Sequence, residues 1–317
     1  MPASAAPPRS AYLQIHLCVL LWGFTAILGK LISLAALPLV WWRMLIVAAV
    51  LLLLPRVRRA LSQLDWRSTA AFAGVGALVA LHWLTFYASI KLSNASVAAT
   101  CIALGPVFLS VLEPAMHRRM PDWRDLAVGV GVVPGVALVV GATPGAMWFG
   151  MLIGVVSALL VAIFGSLNKQ LVHRTDALTV TALELGAGVL CLTLISPWVD
   201  LLIPGQGGAP WTLPSGADWG WLLTLSLACT LFPFALSLHA LRHLSAFSAQ
   251  LAVNLEPIYA MLLAAILFSE QQQLTPSFYA GAAIVIAGVF LHPMLHRTGR
   301  RAETSNVGVA ESKSVER

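Results

Sequence analysis

The sequence predicts an all-α membrane protein of ten transmembrane helices, arranged as an inverted repeat of two five-helix units. Three observations point that way: an apolar composition, an alternation of basic and non-basic loops, and a likeness between the two halves of the chain. Of 317 residues, 59% are hydrophobic and 10% are charged, whereas soluble domains carry about 25% charged residues. That surplus of apolar surface calls for a bilayer. A span takes about 20 mostly apolar residues, and such stretches use nearly the whole chain, leaving no room for a separate soluble domain.

The candidate spans follow in order. A polar stretch, 1–12, carries a single early cation, Arg9, and no small-residue cleavage site, so the first apolar run, 13–33, is read as a retained span and not a leader. The second, 38–54, lies between Pro38 and Pro55. The third, 68–89, follows Asp65, and the fourth, 95–115, follows Asn94, both of which are helix-starting residues. The fifth is 125–141. Pro144 and Gly145 separate it from the sixth, 148–171, and Asp176 starts the seventh, 178–196. A loop rich in Pro, Gly and Trp, 197–217, leads to the eighth span at 218–240. Ser245 opens the ninth, 245–269, and Pro276 opens the tenth, 276–295. The first unit is thus 13–141 and the second 148–295. The tail at 298–317 is polar and mixed in charge, a composition that does not bury enough apolar surface to order itself.

Cytoplasmic loops retain Lys and Arg, and the loops here alternate. Arg56, Arg58, Arg59, Arg67, Arg118, Arg119, Arg124, Lys169, Arg174, Arg242, Arg297, Arg300 and Arg301 fall on one side with Arg9. The other side holds only Lys30, Arg43 and Lys91, and the 197–217 loop has no basic residue. With ten spans, both termini are cytoplasmic. The formal charge of +6 is therefore read as topology and not as an affinity for nucleic acid. The four cysteines, at 18, 101, 191 and 229, sit in apolar stretches without metal or disulfide spacing and read as small buried hydrophobes.

The halves answer one another. Asp65-Trp66 precedes the third span and Asp218-Trp219 the eighth; Ser93-Asn94-Ala95-Ser96 matches Ser245-Ala246-Phe247-Ser248. Pro106 follows Ser96 by ten residues and Pro257 follows Ser248 by nine. An odd number of spans per unit inverts the second copy, and transporters built this way place their sites near the midplane, at the interface of the repeats.

On these features the chain resembles the drug/metabolite transporter superfamily, EamA type, over residues 13–292. The likeness rests on Leu21-Trp22-Gly23, Trp42-Arg43, the Ser-to-Pro stretches of the fourth and ninth spans, and Glu270 followed by Gly281 and Gly288-Val289. Arg119 stands where the first repeat often has an acid, so no acidic role is carried over there. The resemblance implies a permease of the plasma membrane, the inner membrane in a bacterium. It would work without ATP or a cofactor, often as an exporter of amino acids or similar metabolites.

An ionisable residue deep in a membrane marks a pathway or a structural pair. Glu256 falls ~16 Å into the ninth span by a rise of about 1.5 Å per residue, and Glu184 ~9 Å into the seventh. Glu256 reads as a carboxylate that binds a substrate amine or carries a coupling proton, or as a structural acid that locks the bend at Pro257. Gln250 and Asn254, four residues apart, share a helix face, whereas Glu256 points well round the helix from Asn254, so one cavity need not hold both. Glu184 reads as a pathway acid or as one hydrogen-bonded between helices, and Asn168 weighs in the same way. Arg43, like Lys30, either reaches the interface or serves as an external gate or carboxylate clamp. Trp22, His82 and Trp83 offer aromatic faces for an apolar or cationic solute. Pro106 and Pro257 are expected to kink the fourth and ninth spans beside a central cavity. Small-residue spacings, Gly131 with Gly135 and Gly281 with Gly288, are suited to close helix packing within the bundle or in a homodimer.

A membrane-embedded enzyme would need activated groups held together, and the sequence has no HExxH, no GxSxG and no Walker loop. A non-transporting scaffold is the other alternative. Transport of a small solute is the reading that uses the buried acids.

Overall fold

The computed structural model describes residues 9–116, 123–171, 174–233, 236–237, 252, 255–288 and 290. All regular structure among them is helical. In chain order the helices are α1 (Arg9–Leu31), α2 (Ala36–Leu52), α3 (Pro55–Gln63), α4 (Trp66–Leu92), α5 (Ala95–Ile102) and α6 (Gly105–Met116). Then come α7 (Trp123–Ala142), α8 (Trp148–Leu171), α9 (Ala177–Leu202), α10 (Gly216–Leu223), α11 (Glu256–Phe268) and α12 (Pro276–Gly288). Among the described residues four helices are long and apolar enough to cross a membrane, and a fifth if α2 and α3, bent by 93°, count as one span.

Helix starts follow the sequence. The side chains of Asp65, Asn94 and Asp176 accept from the backbone N–H groups of Ser68, Val97 and Thr179, filling vacancies that a helix N-terminus leaves open. Donation from the Ser68 backbone and hydroxyl holds Asp65 below the usual carboxylate range. The bend after α2 turns the basic helix α3 sideways. Its Arg58 and Arg59 stand exposed while Val57 is buried.

Several predicted boundaries differ. The fourth segment is two helices: α5 stops at Ile102, and Pro106 is the second residue of α6. In a first helical turn a missing N–H costs nothing. Pro257 likewise sits in the first turn of α11. The seventh helix does not stop at 196. It continues through Pro197 to Leu202, and the Thr193 carbonyl, which the proline cannot reach, accepts from Ser196 Oγ at 2.9 Å. In the eighth segment, α10 passes into a π-helical stretch, Thr224–Leu231.

One large apolar core runs through α1, α2, α4, α5 and α9, with Ile27, Leu37, Met44, Ala80 and Leu192 fully buried. α4 packs against α8 and α9, α2 against α9, and α11 against α1 and α5. Bulky apolar residues also face outward, among them Leu190, Leu194, Leu201, Leu262 and Ile266, which suits lipid surroundings. Glycines let helices meet by their backbones. A Cβ at Gly76 of α4 would lie 2.7 Å from the Glu184 Cα of α9, and one at Gly135 of α7 would lie 2.8 Å from the Gly281 carbonyl oxygen of α12. Gly135 and Gly281 are therefore spent on packing inside the chain.

Polar contacts gather at one end of the bundle, here called the Lys30 end. Glu270, fully buried, pairs with Lys30 at 2.8 Å and accepts from Ala95 N, Ser96 N and Ser96 Oγ at the start of α5. Ser269, left-handed at φ 53°, turns the chain so that this carboxylate points back beneath α5. Asp218 accepts from the backbone and hydroxyl of Ser33, and Lys91 donates to the Ile32 carbonyl. Gly205 and Gly208, both at positive φ, fold the 203–215 loop so that Gln206 bonds Ala36 N and Leu37 N. The α1–α2 turn is thus tied to α4, to α10 and to this loop.

Candidate functional site

A cavity of about 220 Å³ lies inside the bundle. Trp22 and Thr25 reach it from α1, Arg43 from α2, and His82, Trp83 and Phe86 from α4, with Ile102 at the end of α5. From the other half of the chain come Phe164 and Asn168 of α8, Thr181 and Glu184 of α9, and Glu256 at the start of α11. Helical spacing accounts for the sets: His82 and Phe86 are four residues apart, as are Phe164 and Asn168, so each pair shares a face.

Seven of the predicted pathway residues, Trp22, Arg43, His82, Trp83, Asn168, Glu184 and Glu256, line this one space. Gln250 and Asn254 lie outside the described residues. Pro106 lies in the first turn of α6, after the end of α5 at Ile102, and Pro257 in the first turn of α11.

Arg43 does not reach the interface. It is 4% exposed, its Nε donates to Thr230 Oγ1 at 3.0 Å and its Nη1 to Tyr87 Oη at 2.7 Å. Its guanidinium carbon lies 3.8 Å from the centre of the Trp83 ring. A desolvated cation over Trp gains on the order of 2 kcal/mol, which offsets part of the cost of taking the charge out of water. The π-helical stretch sets up this contact: Thr230 Oγ1 donates to the carbonyl of Leu225, five residues back, and accepts from Arg43 in return. Arg43 and Glu256 also stand within electrostatic reach of each other.

His82 is buried, with Nδ1 2.9 Å from the Ser157 carbonyl oxygen. A carbonyl only accepts, and the Ser157 hydroxyl, also 2.9 Å from Nδ1, donates to the His82 carbonyl, so these contacts suit a protonated Nδ1 that leaves a lone pair on Nε2. Its ring packs 5.4 Å from Phe164 and stacks on Phe86. Glu184 is 7% exposed. Asn168 Nδ2 donates to its Oε2 at a long 3.4 Å, while Glu184 Oε1 and Asn168 Oδ1 are buried without a hydrogen-bond partner among the described residues. The backbone approach at Gly76 fixes where Glu184 stands.

In sequence, Glu270 stands only as a residue of the family pattern at a span end, and Lys30 as an interface or gate cation. Their contact is not visible there, because it joins residues 240 positions apart. Alternation of the same landmarks in both halves is the one available signal.

Comparison with known proteins gives a consistent result. The model of the EamA-like transporter family matches residues 9–141 and again 148–292. Two proteins of Archaeoglobus fulgidus, each described as an uncharacterized transporter, are similar. One is 27% identical over 218 residues, 68% of this chain and 74% of its own length. The other is 25% identical over 294 residues, 88% of this chain and 96% of its own. A crystal structure of a protein 16% identical shares the fold at a TM-score of 0.57, covering 92% of this chain and 98% of that one.

Proposed function

Because the chain belongs to the EamA-like transporter family and is an integral membrane transporter, we propose that it is a secondary active carrier that moves a small amino-acid-like metabolite through this cavity. The observation that carries the reading is the cavity's position. It lies between the two segments that the family model matches, and ionisable side chains reach it from both: Arg43 from the first, Glu184 and Glu256 from the second. That is where transporters made of repeats hold their solutes.

In this reading the chain crosses the bacterial inner membrane ten times as an inverted repeat, with both termini in the cytoplasm, and works as an exporter. The basic loops and the twofold family match support it. The two units rock about the cavity, and the Lys30 end, bonded shut through Glu270 and Asp218, is the external gate in its closed state. Glu256, beside Arg43, carries the coupling proton. The small-residue face at Gly131, where an added Cβ would meet nothing within 4 Å, is the surface open to a homodimer partner.

Counterflow tests this. Proteoliposomes preloaded with unlabelled amino acids and amines should take up the labelled compounds faster than protein-free liposomes. Glu256→Gln should keep that exchange and lose accumulation driven by a pH gradient. Exchange no faster than in protein-free liposomes would overturn the transport reading, and unchanged gradient-driven accumulation in Glu256→Gln would remove the proton from Glu256.

A further inference from the structure

Resting on the transport reading, we propose that the cavity recognises its solute by a protonated amine held at Glu184 and Asn168, and not by a carboxylate held at Arg43. The polar groups around the cavity are unequally satisfied. A carboxylate clamp uses the planar fork of an arginine with two parallel donors free. On Arg43 one face lies against Trp83, Nε is bonded to Thr230 and Nη1 to Tyr87. Glu256 lines the same cavity as Arg43. Arg43 is already engaged by the protein itself.

On the other wall two acceptors are left without donors. Glu184 Oε1 and Asn168 Oδ1 are buried acceptors with no partner among the described residues, and Glu184 has no ion-pair partner among them. A buried acceptor left without a donor is costly, and native structures keep few of them unless a ligand, ion or water completes the set. His82 Nε2 adds a third lone pair, because Nδ1 is committed to the Ser157 carbonyl. An ammonium group has three donors and no acceptor. It complements this wall as an anion cannot, and Phe164 and Trp22 supply the aromatic faces that a cation favours.

Three probes on one aryl frame separate the possibilities by isothermal titration of the purified protein. We expect 2-phenylethylamine to bind at least as tightly as phenylalanine, and 3-phenylpropionate to bind at least tenfold more weakly than the amine. Glu184→Gln, shown to be monodisperse, should weaken the amine at least tenfold. Should that variant fail to fold, the comparison of the three probes on the unaltered protein decides alone. The inference is overturned if 3-phenylpropionate binds as tightly as the amine, if folded Glu184→Gln keeps the original amine affinity, or if no amine binds to protein that performs exchange. Amine binding without any exchange would instead overturn the transport reading and leave the binding site standing.

Discussion

Replacing Glu270 by leucine should lower the thermal midpoint of the detergent-solubilised protein by roughly 5–10 °C, a loss on the order of 3–5 kcal/mol. The substitution removes one acid and four interactions together. Lys30 loses its partner, and Ala95 N, Ser96 N and Ser96 Oγ lose their acceptor at the head of α5. Two buried backbone donors left unpaired are the larger part of the cost. Lys30→Met should cost less, because Glu270 would keep its three donors and the Lys30 side chain is already 31% exposed. Scanning fluorimetry of the three proteins checks the order: wild type above Lys30→Met, and Lys30→Met above Glu270→Leu. A Lys30→Met protein less stable than Glu270→Leu would mean that the ion pair, and not the helix cap, holds this end together.

The second large effect is expected at Gly76. A methyl group there would collide with the Glu184 backbone, with no flexible side chain to give way, so α4 and α9 must part. Overpacking of this kind costs about 1–3 kcal/mol. The consequence for function is greater, because the displaced residue is Glu184 itself. Gly76→Ala should reduce counterflow at least tenfold per molecule of folded protein. Gly74→Ala, two residues away on the same helix, would meet nothing within 4 Å and should transport normally and gain slightly in stability. Equal activity in the two variants would show that the α4–α9 contact does not position the site.

What the sequence discloses and what it hides divide along physical lines. Helix starts at Asp65, Asn94 and Asp176 are legible because a cap acts on its own first turn. The prolines at 106 and 257, expected to kink their spans, stand instead in the first turns of α6 and α11. Pro197 misleads: the repair of its missing bond by Ser196 keeps α9 helical to Leu202, a compensation that hydropathy does not register. The acids and aromatics of the cavity can be found because a polar group at membrane depth needs a partner. Their partners cannot. The distance of Arg43 from Pro38 allows it to reach the interface, but Trp83, Tyr87 and Thr230 hold it inside, and two of these contacts cross 44 and 187 positions. The inward turn of Glu270 depends on a left-handed Ser269, a residue type that gives no notice of that conformation.

In the proposed cycle this cavity is a solute path opened to each face of the membrane in turn. Its most direct test is two-sided labelling of Thr181→Cys, a cavity position, in protein whose native cysteines at 18, 101, 191 and 229 are replaced. A membrane-impermeant maleimide should label the introduced thiol in right-side-out vesicles and also in inverted vesicles, with both reactions slowed by a solute that supports exchange. Labelling from one face only, whatever solute is present, would show that the cavity does not alternate between the two faces.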